Sequence, residues 1–173
     1  FEINGSKKPN KQNEDVALFN ANGLGNSCAI ELDNGKCFTS AFTPTPLTKA
    51  ECEAQKDDLG IKECNRALDY WAGAVKQCGG VGNIPTQSEL GKIGSTIYEG
   101  NPGVGAYDRI ENLTYKSGTA TSLGLPEPPF FLWSVEYGKT GSHAYYRHFD
   151  SKSTYYNYFY RHSSTYQAVC LGN

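Results

Sequence analysis

The chain has 173 residues, 38% of them hydrophobic and 20% charged, with a formal net charge of −2. That length suffices for one domain, or one domain with an appended subdomain, and for its core. The charge excludes the diffuse basic field that nucleic acid or an anionic membrane surface requires, and the longest apolar run, Pro128-Pro129-Phe130-Phe131-Leu132-Trp133, falls far short of the ~20 residues of a membrane helix. Methionine is absent even at position 1, so the opening Phe1-Glu2-Ile3-Asn4-Gly5 is expected to follow a removed upstream segment.

Residues 1–46 read as strands and turns, with Val16-Ala17-Leu18-Phe19, Cys28-Ala29-Ile30-Glu31-Leu32 and Lys36-Cys37-Phe38 separated by Asn/Gly clusters. Thr48 with Glu51 forms a capping box that opens a short helix ending near Gly60. Leu68, Trp71, Ala72, Val75 and Cys78 share one face of a second helix, which Gly79-Gly80 terminates. A second capping box, Thr86 to Glu89, opens a third helix with Leu90, Ile93 and Ile97 pointing inward. The two stripes are expected to share one core with Trp133 and Phe149. From Gly100 to Pro129 a long Gly/Pro/Thr-rich connection follows, of the kind that is functional or poorly ordered, and Asn112-Leu113-Thr114 within it matches the N-glycosylation pattern. Strands return at Phe130.

Six cysteines without a Cys-x-x-Cys pair, and three histidines confined to the C-terminal region, speak against a zinc site and for disulfides, hence for export. Cys28 and Cys37 flank the hairpin turn signal Asp33-Asn34-Gly35, Cys52 and Cys64 bracket the first helix, and Cys78 with Cys170 remain. These three pairs are the expected disulfides.

The stretch from Trp133 to Asn173 holds eight of the twelve tyrosines, all three histidines and six serines. In Thr154-Tyr155-Tyr156-Asn157-Tyr158-Phe159-Tyr160 strand alternation puts Tyr156, Tyr158 and Tyr160 on one face and Tyr155, Asn157 and Phe159 on the other. Such an aromatic strand cannot be all core. Tyr, Ser, Asn and His are what a paratope uses, because Tyr buries much area with little rotamer entropy and small polar residues adapt their hydrogen bonds. The expected recognition surface is Tyr137, His143, Tyr145, Tyr146, His148, Asp150, Ser151, Ser153, Tyr155, Tyr156, Asn157, Tyr158, Tyr160, His162, Ser163, Ser164 and Tyr166. About two thirds of it should be accessible, with the packed remainder on the side of Phe159. Lys139, Arg147, Lys152 and Arg161 against Glu136 and Asp150 give this region a net charge of +2, which suits protein or glycan partners, acidic ones among them.

Ile84-Pro85-Thr86 with Glu89-Leu90, Phe131-Leu132-Trp133-Ser134 with Glu136, and the closing Ala168-Val169-Cys170-Leu171-Gly172 resemble the formylglycine-generating-enzyme-like branch of C-type lectin folds, over roughly residues 66–173. The resemblance implies an α+β, C-type lectin-like fold: two helices packed on a twisted antiparallel sheet with long irregular loops, here with a small N-terminal β-hairpin region. Within that branch it points to the variable proteins of diversity-generating retroelements. Their mutable segment, here 134–167, precedes the last strand, and adenine-directed mutagenesis turns Asn-type codons into Tyr, Ser, His, Asp and Thr. Trp133, Ser134, Glu136, Ala144, Arg147, Phe149, Val169 and Cys170 would be the constant residues. Ile3-Asn4-Gly5-Ser6-Lys7-Lys8-Pro9-Asn10 with Asp15-Val16 and Phe19 is similar to type IV pilin-like proteins downstream of their N-terminal helix. The implied organisation is a pilin-like segment, 1–46, carrying a lectin-like domain, 47–173.

The function expected is cell-surface, pilus-associated display of a diversified binding surface for a protein or glycan on another cell, virus or host, with other pilin subunits as further partners. No nucleic acid, membrane, cofactor or metal is expected. A purely structural pilus subunit is the alternative. Enzyme activity is not expected, since the formylglycine-generating enzyme uses a cysteine pair with copper and this tail has Cys170 alone. Nor does Glu127-Pro128-Pro129 match the Glu-Pro-Asn set of calcium-dependent sugar binding. A calcium loop around Asn4 and Asn10 is less apt than ordinary turns.

Overall fold

A computed structural model describes residues 28, 30–137 and 140–172. The pilin-like motif, the Val16–Phe19 strand and the Asn4/Asn10 loop lie outside the described residues. What is described is an α+β arrangement in which one antiparallel sheet carries helices on both faces.

The helices form where local chemistry opens and closes them. In α1 (Lys49–Leu59) the Thr48 hydroxyl accepts the Glu51 N–H while the Glu51 carboxylate accepts the Thr48 N–H, and Gly60 at φ 80° ends it. The same reciprocal box, Thr86 with Glu89, opens α3 (Gln87–Ile97). Between them α2 (Tyr70–Cys78) is capped by Asp69, whose carboxylate accepts the Ala72 N–H at 2.8 Å, and ends at Gly79 with φ 88°. Because α2 starts at Tyr70, Leu68 precedes it and stands 45% exposed, outside the stripe in which its spacing had placed it. A short 3-10 turn, Val81–Asn83, and a one-turn helix α4, Thr119–Ser122, complete the helical parts.

Strands β2 (Phe130–Tyr137), β3 (His143–Phe149) and β4 (Thr154–Tyr160) form an antiparallel meander, with Phe130 opposite Phe149 and Arg147 opposite Tyr156. Gln167 extends this sheet in parallel beside β2, exchanging hydrogen bonds with Phe131 and Trp133. The chain then runs on as β5 (Leu171–Gly172) against β1 (Cys37–Phe38). Asp33-Asn34-Gly35 makes the expected turn and brings Cys28 and Cys37 to a Cα separation of 4.6 Å, but among the described residues the ladder partners of Cys37 and Phe38 are Gly172 and Leu171 rather than the segment before the turn, and Ile30 and Leu32 bury their side chains. The disulfides are Cys28–Cys37, Cys52–Cys64 and Cys78–Cys170.

Instead of one core there are two, because the sheet divides them. Trp71, Ala72 and Val75 of α2 pack with Trp133, Ala144, Tyr146, Tyr166, Ala168 and Cys170. Leu90, Ile93 and Ile97 of α3 pack with Phe130, Leu132, Phe149, Val169 and Leu171. Alternation along 168–171 sends successive side chains into opposite clusters, as the period of two requires. The Trp-Ser strand ties both helices to the sheet: Trp71 donates its indole N–H to the Ser134 carbonyl at 2.7 Å, and Gln87 of α3 donates to the Ser134 hydroxyl at 3.1 Å. Of the eight residues that the family resemblance would hold constant, all but Glu136 are buried. The half-buried Glu136 carboxylate accepts the Gln87 N–H at the start of α3, where a negative charge is favoured. No helix among the described residues is long and apolar enough to cross a membrane, and three disulfides are typical of oxidising, extracellular surroundings.

Candidate binding surface

The meander leaves β4 at the margin of the sheet, beyond the cover of α2 and α3, and its register with β3 decides which rings meet. His143 lies opposite Tyr160, and Tyr145 opposite Tyr158. On that face the rings run in an unbroken series: Tyr107 to Tyr156 at 5.1 Å, Tyr156 to Tyr145 at 5.9 Å, Tyr145 to Tyr158 at 5.6 Å. It continues from Tyr158 to His143 at 5.4 Å, His143 to Tyr160 at 4.4 Å and Tyr160 to His162 at 5.2 Å. These spacings are those of mutually attractive aromatic pairs. Tyr107, Tyr158, Tyr160 and His162 are exposed, and the other three are half-buried. Each ring is thus held by its neighbours while its outer side stays in water. His143 is oriented further by a 2.8 Å contact with the Ser142 hydroxyl.

The opposite face of the same strands is packed. Tyr146, His148 and Tyr166 are buried against Phe131, with Tyr146 and Tyr166 stacked at 4.6 Å and His148 on Phe131 at 4.5 Å. Tyr146 and His148 lie on the face of Phe159, as expected, but one strand inward, and Tyr166 joins them from the segment after β4. Phe159 itself is 40% exposed, with its ring against Tyr166, and Asn157 on the same face is exposed too, whereas Tyr155 nearer the turn packs on His148. Burial lowers the His148 pKa from its ordinary value, with Arg109 adding to the effect and Asp150 opposing it. Tyr146, also buried, has its hydroxyl pKa pushed up.

The remaining expected residues scatter. Asp150, Ser151 and Ser153 form the β3–β4 turn. Burial disfavours the Asp150 charge, yet hydrogen bonds from the Lys152 N–H, the Ser153 hydroxyl and the Ser153 N–H outweigh it and hold its pKa low. These bonds brace the turn, whose Asp150, Ser151 and Ser153 line an open cleft with Arg109 and Glu111. Tyr137 is half-buried against Trp71 at 5.6 Å. Ser163 and Ser164 follow β4, the latter exposed.

Two residues outside the expected set belong to the surface, Tyr107 and Arg109, both from the long connection. The Arg109 guanidinium lies 4.5 Å from the centre of the Tyr155 ring and pairs with Glu111 at 2.8 Å. Arg109, Tyr145, Tyr155, Tyr156, Asn157 and Tyr158 line a cleft of about 300 Å³, and because they come from both faces it lies across the edge of β4. Only folding could have found them, since the connection shows no period that ties it to β4. Residues 105–108 are held there by Arg147, which is fully buried, donates from Nη2 to the carbonyls of Gly105, Ala106 and Asp108, and reaches Thr154 and Gln87 with its other nitrogens.

Two of the four cations counted toward the positive charge of this region, Arg147 and Arg161, turn inward. Burial pushes the Arg147 pKa down to about 10, which leaves it a cation, but an inward one. Arg161 is likewise buried, paired with Asp69 at 2.7 Å and placed 4.4 Å over the Trp71 ring. Guanidinium groups here satisfy interior carbonyls and a carboxylate instead of meeting solvent. Cys170, the one cysteine of the tail, is joined to Cys78. No protein-family model, no curated protein and no solved structure matches the chain.

Proposed function

We propose that this chain is a ligand-display protein of the cell surface, whose lectin-like domain presents the Tyr107–His162 ring series to a protein or glycan partner. The observation that carries the reading is that series: seven rings in continuous contact, five on the β3–β4 strand pair with Tyr107 and His162 at its two ends, and four of the seven exposed. Exposed aromatic surface of this extent has no folding purpose, and pre-ordered rings lose little entropy when a partner covers them. The α+β order, with a helix on each face of an antiparallel meander and a buried Trp-Ser strand, supports the lectin-like reading. The bonded state of Cys170 supports a reading without thiol catalysis. Attachment through a pilin-like segment, and diversification by a retroelement, rest on the sequence resemblance.

Sequencing the same gene across isolates tests display without knowledge of the ligand. Changes are expected to concentrate at the codons of His143, Tyr145, Tyr156, Tyr158, Tyr160 and His162 while Trp133, Ser134, Arg147 and Phe149 stay fixed. An even spread of changes over exposed positions overturns diversification. Combined Tyr158→Ala, Tyr160→Ala and His162→Ala should also lower stability by less than about 1 kcal/mol. A loss above about 3 kcal/mol makes the rings part of the fold's core instead.

A further inference from the structure

The segment that begins to cover the outer edge of β4 does not finish. Ile110 and Thr154 exchange both backbone hydrogen bonds at 3.0 Å, and the N–H groups of Leu113 and Tyr115 donate to the carbonyls of Lys152 and Ser151. Continued in register, residue 108 would face Tyr156. Its carbonyl goes instead to Nη2 of Arg147, with those of Gly105 and Ala106. The buried guanidinium thus draws the chain off the edge.

In an antiparallel ladder alternate residues turn their backbone groups to alternate neighbours. Since Thr154 turns its N–H and C=O outward to Ile110, Tyr156, Tyr158 and Tyr160 turn theirs the same way. The Tyr158 N–H is closed by the Asn157 side-chain oxygen at 2.8 Å, and the Tyr160 carbonyl accepts the Ser163 N–H at 3.2 Å. The Tyr156 N–H and C=O, the Tyr158 C=O and the Tyr160 N–H have no partner among the described residues. They lie along the β4 edge that the cleft of Arg109, Tyr145, Tyr155, Tyr156, Asn157 and Tyr158 straddles.

We infer that this edge takes an extended peptide of a partner protein as an added antiparallel strand. The main chain would supply the affinity, and the flanking rings would select alternate side chains. The inference rests on the display reading and narrows its partner to a polypeptide. The open groups recur at every second residue, about 6.8 Å apart, which is the repeat of another strand. A second copy of the chain fits less well. In each two-fold register of β4 against β4, the Asn157 closure, the Ser163 bond or Ile110 leaves only two unobstructed hydrogen bonds, whereas a peptide free in register reaches all four open groups.

The test pans a phage-displayed library of linear random peptides on the full chain, with an immobilised glycan panel beside it. Peptides should be enriched, and their affinity should fall roughly tenfold or more in Tyr156→Pro, which removes an outward N–H at a position where an edge strand tolerates proline. Should that variant not fold, amide exchange on the unmodified chain decides. A saturating selected peptide should slow exchange at the Tyr156 and Tyr160 amides roughly tenfold or more and leave the inward Tyr155 amide unchanged. The inference is overturned by a library that yields no binder, by peptides that leave those two amides unprotected, or by protection that grows with protein concentration alone, the signature of self-pairing. Glycan binding abolished by Tyr158→Ala with Tyr160→Ala, and no peptide binding, would remove this inference and keep the display reading. Neither glycan nor peptide binding would remove both.

Discussion

Trp71 shows how much one buried side chain can carry. It has no exposed surface, donates its indole N–H to the Ser134 carbonyl, meets the Tyr137 ring at a tilt and lies beneath the Arg161 guanidinium. Trp71→Ala would leave a cavity, an unpaired carbonyl and an uncovered cation together, so a loss of about 3 to 5 kcal/mol is expected in urea denaturation. A loss under about 1 kcal/mol would show that α2 does not hold the sheet through this residue. Its burial was readable, because Trp71, Val75 and Cys78 recur with the helical period and all three are fully buried. Leu68 matched the period equally well, yet the Asp69 carboxylate caps the helix one residue later. A cap acts within three residues and overrides a pattern that extends through it.

At the scale of elements, the margin of β4 and the loop beside it are set by Arg147. Replacing it with Leu would leave the carbonyls of Gly105, Ala106 and Asp108, the Thr154 hydroxyl and the Gln87 side chain without their donor. Arg147→Leu should lower stability by about 3 kcal/mol or more, and it should free the connection that holds Tyr107 and Arg109. Tryptic cleavage at Arg109 ought then to be faster under native conditions than in the unmodified chain. Unchanged cleavage would mean that other contacts hold the loop. Composition marked 100–129 as a long irregular connection, functional or poorly ordered, and Tyr107 joins the ring series from it. Which residues of that loop would matter was not legible, because a carbonyl carries no side-chain signature in the sequence.

The whole molecule should be sensitive to acid in two steps. His148 is kept neutral by burial, so its folded pKa lies below the ordinary value of about 6.5. As pH falls below that value the unfolded chain binds a proton that the folded chain refuses, and stability drops. Asp150 has a folded pKa below its ordinary 3.8, so its contribution is present above that value and is lost as pH falls through it and below. His148→Phe, which keeps a ring against Phe131, should abolish the upper step and spare the lower one. Thermal midpoints from about pH 7 to pH 3 would read both steps, and an identical upper step in the variant would assign it to another group.

Sequence alone determined what is written within a few residues: the two capping boxes, the Gly79 stop, the period of α2 and α3, the alternation of β4 and the three cysteine pairs. Each is a short-range constraint, and even Cys78–Cys170 followed once the nearer pairs were made. Tertiary structure decided everything that depends on what covers a face. It sent Arg147 and Arg161 inward, although charge counting had placed them at the surface. It split the core in two by setting α2 and α3 on opposite sides of one sheet. It exposed Phe159 and buried Tyr166, residues that composition does not distinguish. A strand has two faces and an edge, and only the distant segments that reach or miss them determine which side chains and backbone groups remain open to a partner.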